Sequence, residues 1–401
     1  MKSLSRRISI ALLAGGLMIT PAVAEVHAVS WGNILRGAIN IGSTHAAVDA
    51  MDRDQEGMLR ETQARTGVYA DSAYQERAKR IIRDLQDTGI PERSYVIYVN
   101  PSEDINAFCT LAGVLSVNKG LMDIMDDDCL AFVLAHEISH GEHRDSVNGI
   151  TKQVTLANAA GIALGNAGAA EAIVANIALQ YVNNEVFTMN QEKNADKLGF
   201  TILERSKYNV GGAAAAMQSL LEYHGDSGAT GIVRIIAPNT HPRSSDRVDI
   251  ALKRLHEFSR KHVTVRESTV IVNGHDVLTA AASGRYSAPM RAQLAGGKLA
   301  RLFHDDAVAA STARGRTVMM SGVALYTAST AAEAQAIATR LTAAVTPTAP
   351  SKSESKSESA APIVRPTAEK KNTAAPQSPS KTSDNAAGSD ILSRVQAILH
   401  K

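Results

Sequence analysis

The sequence predicts an α+β fold, in which a mainly helical domain with a small β-sheet precedes a smaller α+β domain. Aromatic residues make up only 4% of the 401 residues and alanine is abundant, which favours a helix-rich interior. Short segments rich in β-branched residues, such as residues 95–99 and 113–118, interrupt the helical patterns and predict strands. A second group of such segments, between residues 264 and 327, predicts the smaller domain.

The N-terminus has the composition of a secretory signal peptide. Three basic residues lie within the first seven positions, residues 8–20 are apolar, and Ala22-Val23-Ala24 forms a small-x-small cleavage site. An uncleaved anchor helix is the alternative, although the apolar run is short for a membrane span. Removing residues 1–24 changes the formal net charge from +2 to −1, and this balance does not predict nucleic-acid binding. We therefore expect a secreted, periplasmic protein.

The sequence contains two cysteines, Cys109 and Cys129. In an oxidising compartment they could pair, and closing a loop of this length would contribute about 3 kcal/mol. Pairing requires that their Cα atoms lie within about 7 Å of each other, which the sequence does not give. A disulfide and two free thiols therefore both remain open.

Helical and extended patterns alternate in the first part of the main domain. Residues 73–87 predict a helix, because their apolar positions repeat at helical spacing. Residues 95–99 and 113–118 predict strands, and Asn106-Ala107-Phe108 is expected to belong to a short link between them.

The next helix carries the feature that points to function. Three consecutive aspartates at residues 126–128 favour its start, because carboxylates stabilise the N-terminal end of a helix dipole. The helix contains His136-Glu137-Ile138-Ser139-His140, an HExxH pattern. One turn separates His136 from His140, so both imidazoles can bind one Zn²⁺ ion, with Glu137 as candidate general base. Taken alone, the pattern is equally compatible with two solvated histidines.

Residues 152–182 are rich in alanine, glycine and asparagine, and two interpretations are open. One is a close-packed helical hairpin beside the HExxH helix, and the other is a loop that touches a membrane. Asn158, Asn166 and Glu171 interrupt the apolar run, which favours the hairpin.

A helical stretch over residues 185–205 offers a further ligand. Glu192 and Asp196 are four residues apart and share one face. A carboxylate from a second helix can complete a site to which HExxH supplies two ligands, and an aspartate one turn later can accept the free N–H of a ligand imidazole. The alternative is a solvated acidic pair among lysines. The pattern HExxHxxGxxH, which would supply a third histidine, is absent because His143 and Ser146 stand at the required positions.

Together these motifs resemble a family of zinc metallopeptidases, the gluzincins of the HtpX, Oma and CAAX-prenyl-protease type. Among its members, the soluble periplasmic proteins of the BepA and LoiP type resemble this sequence most. The resemblance runs in the family's order from about residue 50 to 258. The segments that carry it are Asn106-Ala107-Phe108, Gly113 with its strand, Gly120-Leu121, residues 130–140, Glu192 with Asp196, and His241-Pro242 with Arg247.

The resemblance implies a mainly helical zincin catalytic domain over residues 25–260, with a small β-sheet whose edge strand borders the cleft. It implies that one zinc ion is bound by His136, His140 and Glu192. Glu137 would then polarise the attacking water, and Asp196 would hold a ligand histidine in place.

The same resemblance implies how a substrate is bound. An extended segment would pair with the edge strand, a mode that reads backbone more than side chains. His241 and Arg247 would lie near the metal, where one or both stabilise the oxyanion of the tetrahedral intermediate. Alternatively, His241 occupies the fourth zinc position and keeps the enzyme latent. The substrate-binding residues of the strand would be Val114, Leu115, Ser116, Val117 and Asn118.

The chain also departs from this family. Many members carry Arg-His shortly after the second zinc histidine, whereas this chain has His143-Arg144-Asp145, which puts any role of that pair in doubt. The transmembrane helices of HtpX-type members and the repeat array of BepA-type members are not recognisable in the sequence.

Residues 261–345 lie outside the resemblance and predict a small α+β accessory domain. Strands are expected over residues 264–266, 269–272, 317–320 and 323–327, and helices over residues 288–303 and 331–345.

The C-terminal part changes in composition. Residues 346–388 are rich in Ser, Pro, Ala, Thr and Lys without an aromatic residue, which is typical of a disordered linker. Residues 389–401 predict an amphipathic helix. Such a helix could dock to outer-membrane assembly components, to the protein's own body or to a membrane surface, and a frayed tail is the alternative.

These observations lead to two function hypotheses. The first is a zinc endopeptidase of the bacterial cell envelope that hydrolyses extended or misfolded proteins by metal-activated water, as part of protein quality control. Its partners would be protein or peptide substrates. The alternative is a chaperone or assembly factor for envelope proteins whose proteolysis is latent. The intact Glu137 argues against a metal-binding scaffold without turnover.

Overall fold

The computed structural model describes residues 41–152, 187–224 and 244–346. The predicted signal peptide, most of the stretch 152–182, His241, the linker and the C-terminal helix lie outside these residues. None of the helices in the described part is long and apolar enough to cross a lipid bilayer.

Helices and short strands alternate along the described residues. The helices are α1 (Ile41–Arg53), α2 (Gln55–Thr66), α3 (Ser72–Gln86), α4 (Lys119–Ile124), α5 (Asp127–Glu142), α6 (Met189–Arg205), α7 (Gly212–His224), α8 (Ser244–Phe258), α9 (Ala288–His304) and α10 (Ala331–Val345). The strands are β1 (Val96–Asn100), β2 (Ala107–Cys109), β3 (Val114–Asn118), β4 (Val263–Arg266), β5 (Thr269–Val272), β6 (His275–Thr279), β7 (Thr312–Arg314), β8 (Thr317–Met320) and β9 (Val323–Thr327). A further helical stretch covers residues 145–152.

The first sheet has the strand order β1-β3-β2, with β1 parallel and β2 antiparallel to the central strand. The prediction that Val114–Asn118 forms an edge strand is therefore wrong. β1 pairs along one side of β3 and β2 along the other, and every residue of β3 is buried. The segment predicted as a short link contains β2, which has only three residues and so leaves almost no alternating pattern in the sequence.

Helix α5 runs through the centre of the main domain. Asp126 caps it by accepting a hydrogen bond from the Cys129 N–H, and aspartates occupy the first turn, as the sequence predicted. All residues from position 129 to position 141 are buried, so the helix is covered on every side. It packs against α3, β2, α6 and α7. A helix enclosed in this way holds its side chains in fixed positions, which a precise site requires.

The two cysteines are buried and no disulfide joins them, so the pairing that the sequence left open is not formed. Cys129 lies in the first turn of α5. The carbonyl oxygen of Cys109 lies 3.5 Å from the hydroxyl of Ser146, which follows the last turn of the same helix. These turns are about 20 Å apart along the helix axis.

The accessory unit, residues 263–345, consists of two similar halves. Each half is a three-stranded antiparallel sheet in sequential order followed by a helix, β4-β5-β6 with α9 and β7-β8-β9 with α10. Both sheets have an irregular register at the equivalent point of the middle strand, after Val270 and after Val318. Each helix packs on strands of both halves: α9 contacts β4, β5 and β9, and α10 contacts β5, β6, β7 and β8. Strands β6 and β7 were not predicted.

The accessory unit docks on the main domain through α9, which packs against α7 and α8. The guanidinium of Arg301 donates to the carbonyl oxygen of Glu204 at 2.6 Å, and the Tyr286 hydroxyl donates to Asp126 at 2.9 Å. One hydrophobic cluster runs through both parts. The structure confirms an α+β fold, and the domain boundary at residue 260 stays a prediction.

Candidate metal centre

The HExxH histidines lie side by side on α5. Their Nε2 atoms are 3.2 Å apart, and their rings are nearly perpendicular, with centroids 4.8 Å apart. Both side chains are buried. Within the described residues, the group that could hold a metal ion consists of His136, His140 and Glu192.

Glu192 reaches this point from the first turn of α6. A capping box starts that helix: the Gln191 N–H donates to the Thr188 hydroxyl, and the Gln191 side chain accepts from the Thr188 N–H at 2.8 Å. The cap fixes the position of the first turn. The two carboxylate oxygens of Glu192 lie 3.7 Å from His136 Nε2 and 3.6 Å from His140 Nε2.

The three donors fit a tetrahedral zinc ion. Zinc binds histidine nitrogen and carboxylate oxygen at about 2.0–2.2 Å, which places neighbouring donors of a tetrahedron about 3.3–3.6 Å apart. The two Nε2 atoms are 3.2 Å apart, and each lies 3.6 or 3.7 Å from its nearer oxygen of the Glu192 carboxylate, within a few tenths of an ångström of that range. Two histidines and one glutamate are also a known catalytic zinc set, in which a fourth position stays open for chemistry.

A carboxylate contacts the Nδ1 atom of each histidine and thereby orients the ring. His136 Nδ1 lies 2.9 Å from Asp196 Oδ1, and His140 Nδ1 lies 2.8 Å from Asp145 Oδ2. Because an ionised carboxylate only accepts, each Nδ1 donates, which leaves each Nε2 as the nitrogen that would bind a metal ion. The position of Asp196 is the one that the sequence predicted for it.

Asp145 was not predicted as part of the site. Its second oxygen accepts from the Gln191 side chain at 2.8 Å, so Asp145 links the end of α5 to the start of α6. The sequence signal was weak, since Asp145 stands five residues after His140, across a turn rather than on the same helical face. The ring of Phe187 was also missed, and it stacks on His140 at a centroid distance of 3.8 Å.

The pocket attracts positive charge. Burial acts to lower the pKa of His140, but hydrogen bonds to Asp145 and Glu192 raise this pKa to about 10. A proton and a metal ion compete for the same Nε2 lone pair, so the carboxylates that raise this pKa also favour a bound cation.

Glu137 has the features of a proton carrier. Its side chain is buried, and its Oε2 atom has no hydrogen-bond partner among the described residues. Burial raises the pKa of Glu137, while the adjacent histidines His136 and His140 act to lower it. A buried carboxylate with one oxygen unengaged can bind a water molecule and take a proton from it.

Arg247, on α8, closes the cluster from the side of α6. It donates to both oxygens of Asp196, from Nη2 at 2.6 Å and from Nε at 2.9 Å. Burial would raise the pKa of Asp196, but Arg247 and His136 hold it at about 2. The guanidinium of Arg247 thus binds Asp196, and its oxyanion role stays a prediction. His241 lies outside the described residues, so its role stays a prediction as well.

Gly199 sets the distance between α6 and α5. A Cβ atom at this position would lie 3.0 Å from the backbone nitrogen of His136 and 3.1 Å from its Cα. We expect Gly199→Ala to separate the two helices, to lower the free energy of unfolding by about 1–3 kcal/mol and to weaken zinc binding. Thermal unfolding and zinc titration measure the two effects. The control is Asn194→Ala, on the exposed side of the same helix. A Gly199→Ala variant that is as stable as the wild type would contradict the close approach.

Residues 72–255 match the family described as peptidase family M48, and this range contains the whole donor cluster. Metalloprotease LoiP of Escherichia coli (strain K12) is 30% identical over 159 residues, which are 38% of this chain and 61% of LoiP. Metalloprotease YcaL of the same organism is 25% identical over 182 residues, 44% of this chain and 68% of YcaL. The mitochondrial metalloendopeptidase OMA1 of Saccharomyces cerevisiae is 25% identical over 151 residues, 37% of this chain and 43% of OMA1.

The chain therefore spans less than two thirds of the length of LoiP. The accessory unit and helices α1 and α2 lie outside the range that matches the peptidase family.

Proposed function

We propose that this chain is a zinc-dependent endopeptidase of the bacterial cell envelope, and the match of residues 72–255 to peptidase family M48 supports the proposal. The observation that carries the proposal is the donor cluster of His136, His140 and Glu192, with the unpartnered carboxylate oxygen of Glu137 next to it in sequence. The proposed reaction is hydrolysis of peptide bonds in extended or misfolded proteins.

The three donors would hold one zinc ion. When bound, zinc would supply Lewis-acid polarisation of a peptide carbonyl and make a water molecule more acidic. Asp196 and Asp145 keep both histidines in the tautomer that binds metal, and Arg247 neutralises Asp196.

Glu137 would move the proton. Its carboxylate accepts a proton from the attacking water and returns it to the amine that leaves. A raised pKa suits both steps, since the group then binds and releases a proton nearer to neutral pH. Burial of the side chain excludes bulk water that would compete for this proton.

The sheet edge suitable for a substrate is β2 rather than β3. Two backbone hydrogen bonds join the β2 segment to β3. The Asn118 N–H donates to the Asn106 carbonyl, and the Thr110 N–H donates to the Val114 carbonyl, so alternate residues of the β2 segment face β3. Ala107, between them, therefore directs its N–H and C=O away from β3. Since α5 packs against β2, an extended peptide added there would run beside the HExxH helix, in a zincin arrangement. Pairing of this kind requires an unfolded segment, which supports misfolded proteins as the substrate class.

The cellular setting rests on the sequence. The signal peptide predicted over residues 1–24 would deliver the protein to the periplasm. Protein quality control is the role that fits an enzyme selecting extended chains. The helix predicted over residues 389–401 would contact outer-membrane assembly components or a membrane surface.

Metal removal tests the proposal. We expect the purified protein to contain one zinc ion per chain and to cleave casein, because three buried donors hold the ion. Dialysis against a chelator should abolish cleavage, and one equivalent of Zn²⁺ should restore it, whereas Mg²⁺ should not, since Mg²⁺ prefers six oxygen ligands. Elemental analysis and initial cleavage rates give the two readouts. Full cleavage by the metal-free protein would refute the mechanism.

A further inference from the structure

The chain makes a left-handed turn directly after α5. The Arg144 backbone has a φ of 51°, in the left-handed region, and its N–H donates to the carbonyl of Gly141 at 3.1 Å. The next helical stretch, residues 145–152, begins at once, with the Asn148 N–H donating to the Arg144 carbonyl. The turn at Arg144 therefore decides where Asp145 lies, and Asp145 is the carboxylate that orients His140.

Arginine is a poor residue for this position. Glycine normally occupies the left-handed residue after a helix, because a Cβ atom clashes with the following backbone. The side chain of Arg144 is paired instead. Its Nη2 lies 2.9 Å from Asp52 Oδ2 and 3.1 Å from Asp49 Oδ1, and its Nε lies 3.1 Å from Asp52 Oδ2.

Asp52, near the end of α1, accepts further hydrogen bonds besides those from Arg144. Its Oδ1 accepts from Arg93 Nη2 at 2.7 Å and from the Ala112 N–H at 2.9 Å. Arg93 in turn donates to the carbonyl of Gly141, in the last turn of α5, at 2.9 Å. Only 8% of the Asp52 side chain is exposed, compared with 47% for Asp49. Asp52 thus joins the end of α5, the Arg144 turn and the turn before β3.

We propose that Asp52 is a positioning residue for the zinc site. It holds Arg144 in the left-handed turn, the turn directs Asp145 at His140, and Asp145 keeps His140 Nε2 facing the other two donors. The inference rests on the proposed zinc site and assigns part of its assembly to a helix outside the range that matches the peptidase family.

Zinc affinity is the decisive measurement, made by competition with a chromogenic chelator at a temperature where every variant is folded. We expect Asp52→Asn to weaken zinc binding by roughly 3- to 10-fold, because loss of a residue behind a ligand typically costs 10- to 100-fold and Asp52 is one step further away. Asp145→Asn should give the larger loss. Asp49→Asn is the matched control on the same helix and should stay within about twofold of the wild type, because Arg144 keeps its contacts to Asp52.

Variants at Arg144 separate positioning from general stability. Arg144→Ala removes the pairing and keeps a Cβ atom, so it should weaken zinc binding as Asp52→Asn does. Arg144→Gly adopts the turn without help and should bind zinc nearly as the wild type does. Adding Asp52→Asn to Arg144→Gly should then change zinc affinity little, although the unfolding temperature falls. The Arg144→Ala and Arg144→Gly pair keeps the test valid if Asp52→Asn does not fold.

Three results would count against the proposal. Asp52→Asn with a lowered unfolding temperature but wild-type zinc affinity would show a purely structural role. An undiminished effect of Asp52→Asn in the Arg144→Gly background would show that Asp52 does not act through the turn. A wild-type protein that binds no zinc would refute the proposed function itself, an outcome distinct from the other two.

Discussion

We expect Glu137→Gln to lower the rate of casein cleavage by about 10²- to 10⁴-fold, the usual contribution of a general acid–base group. Glutamine has nearly the same shape as glutamate but cannot take a proton from water. The fold should be preserved, because Glu137 Oε2 has no hydrogen-bond partner to lose and a neutral amide costs less to bury than a carboxylate. Zinc content should remain at one ion per chain.

The control for this substitution is Glu56→Gln on α2, where 84% of the side chain is exposed. Its cleavage rate should equal that of the wild type. A Glu137→Gln variant that cleaves at more than a tenth of the wild-type rate would remove Glu137 from the mechanism. A variant that fully complements a deletion strain without cleaving would favour the chaperone hypothesis over proteolysis as the main function.

The second large effect is expected at Arg247. Replacing it with methionine leaves the Asp196 carboxylate buried without its charged partner, and breaking a buried pair in this way costs about 3–5 kcal/mol. The pKa of Asp196, about 2 in the wild type, would rise, since Arg247 is the main group that lowers it. Urea unfolding of the zinc-free protein measures the cost. Zinc affinity should also fall by about 10- to 100-fold, because Asp196 orients His136.

Arg254→Met on the same helix provides the comparison. Arg254 lies over the ring of Phe200 and 3.6 Å from Glu204, with 28% of its side chain exposed. Its loss should cost no more than about 1 kcal/mol, as for other partly exposed ion pairs. Equal costs for the two substitutions would contradict the assignment of Arg247 to the metal centre.

The centre of the site could be predicted because it follows helical geometry. His136 and His140 are one turn apart, and so are Glu192 and Asp196, which means that spacing alone places each pair on one face. Asp145 could not be found in this way. Its position depends on the left-handed turn at Arg144, and that turn depends on Asp52, which is more than ninety residues distant in sequence.

The error about β3 has a different physical cause. The edge position was implied by the family resemblance, and the polar residues Ser116 and Asn118 of the segment did not speak against it. Both are in fact buried, and the side chain of Asn100 donates to Ser116 Oγ at 2.9 Å and to Asn118 Oδ1 at 2.7 Å. Polar residues in a central strand satisfy one another across the sheet, and a single sequence does not show such pairing.

The two halves of the accessory unit each cover part of the other, since α9 lies on β9 and α10 lies on β5 and β6. While the chain is being synthesised, the first half emerges with one side of α9 still bare. That side is covered only after β9, residues 323–327, has been synthesised. Strands β5 and β6 are covered by α10 only at the end of the unit. The packing of the unit is therefore complete only once its last helix, α10, is in place.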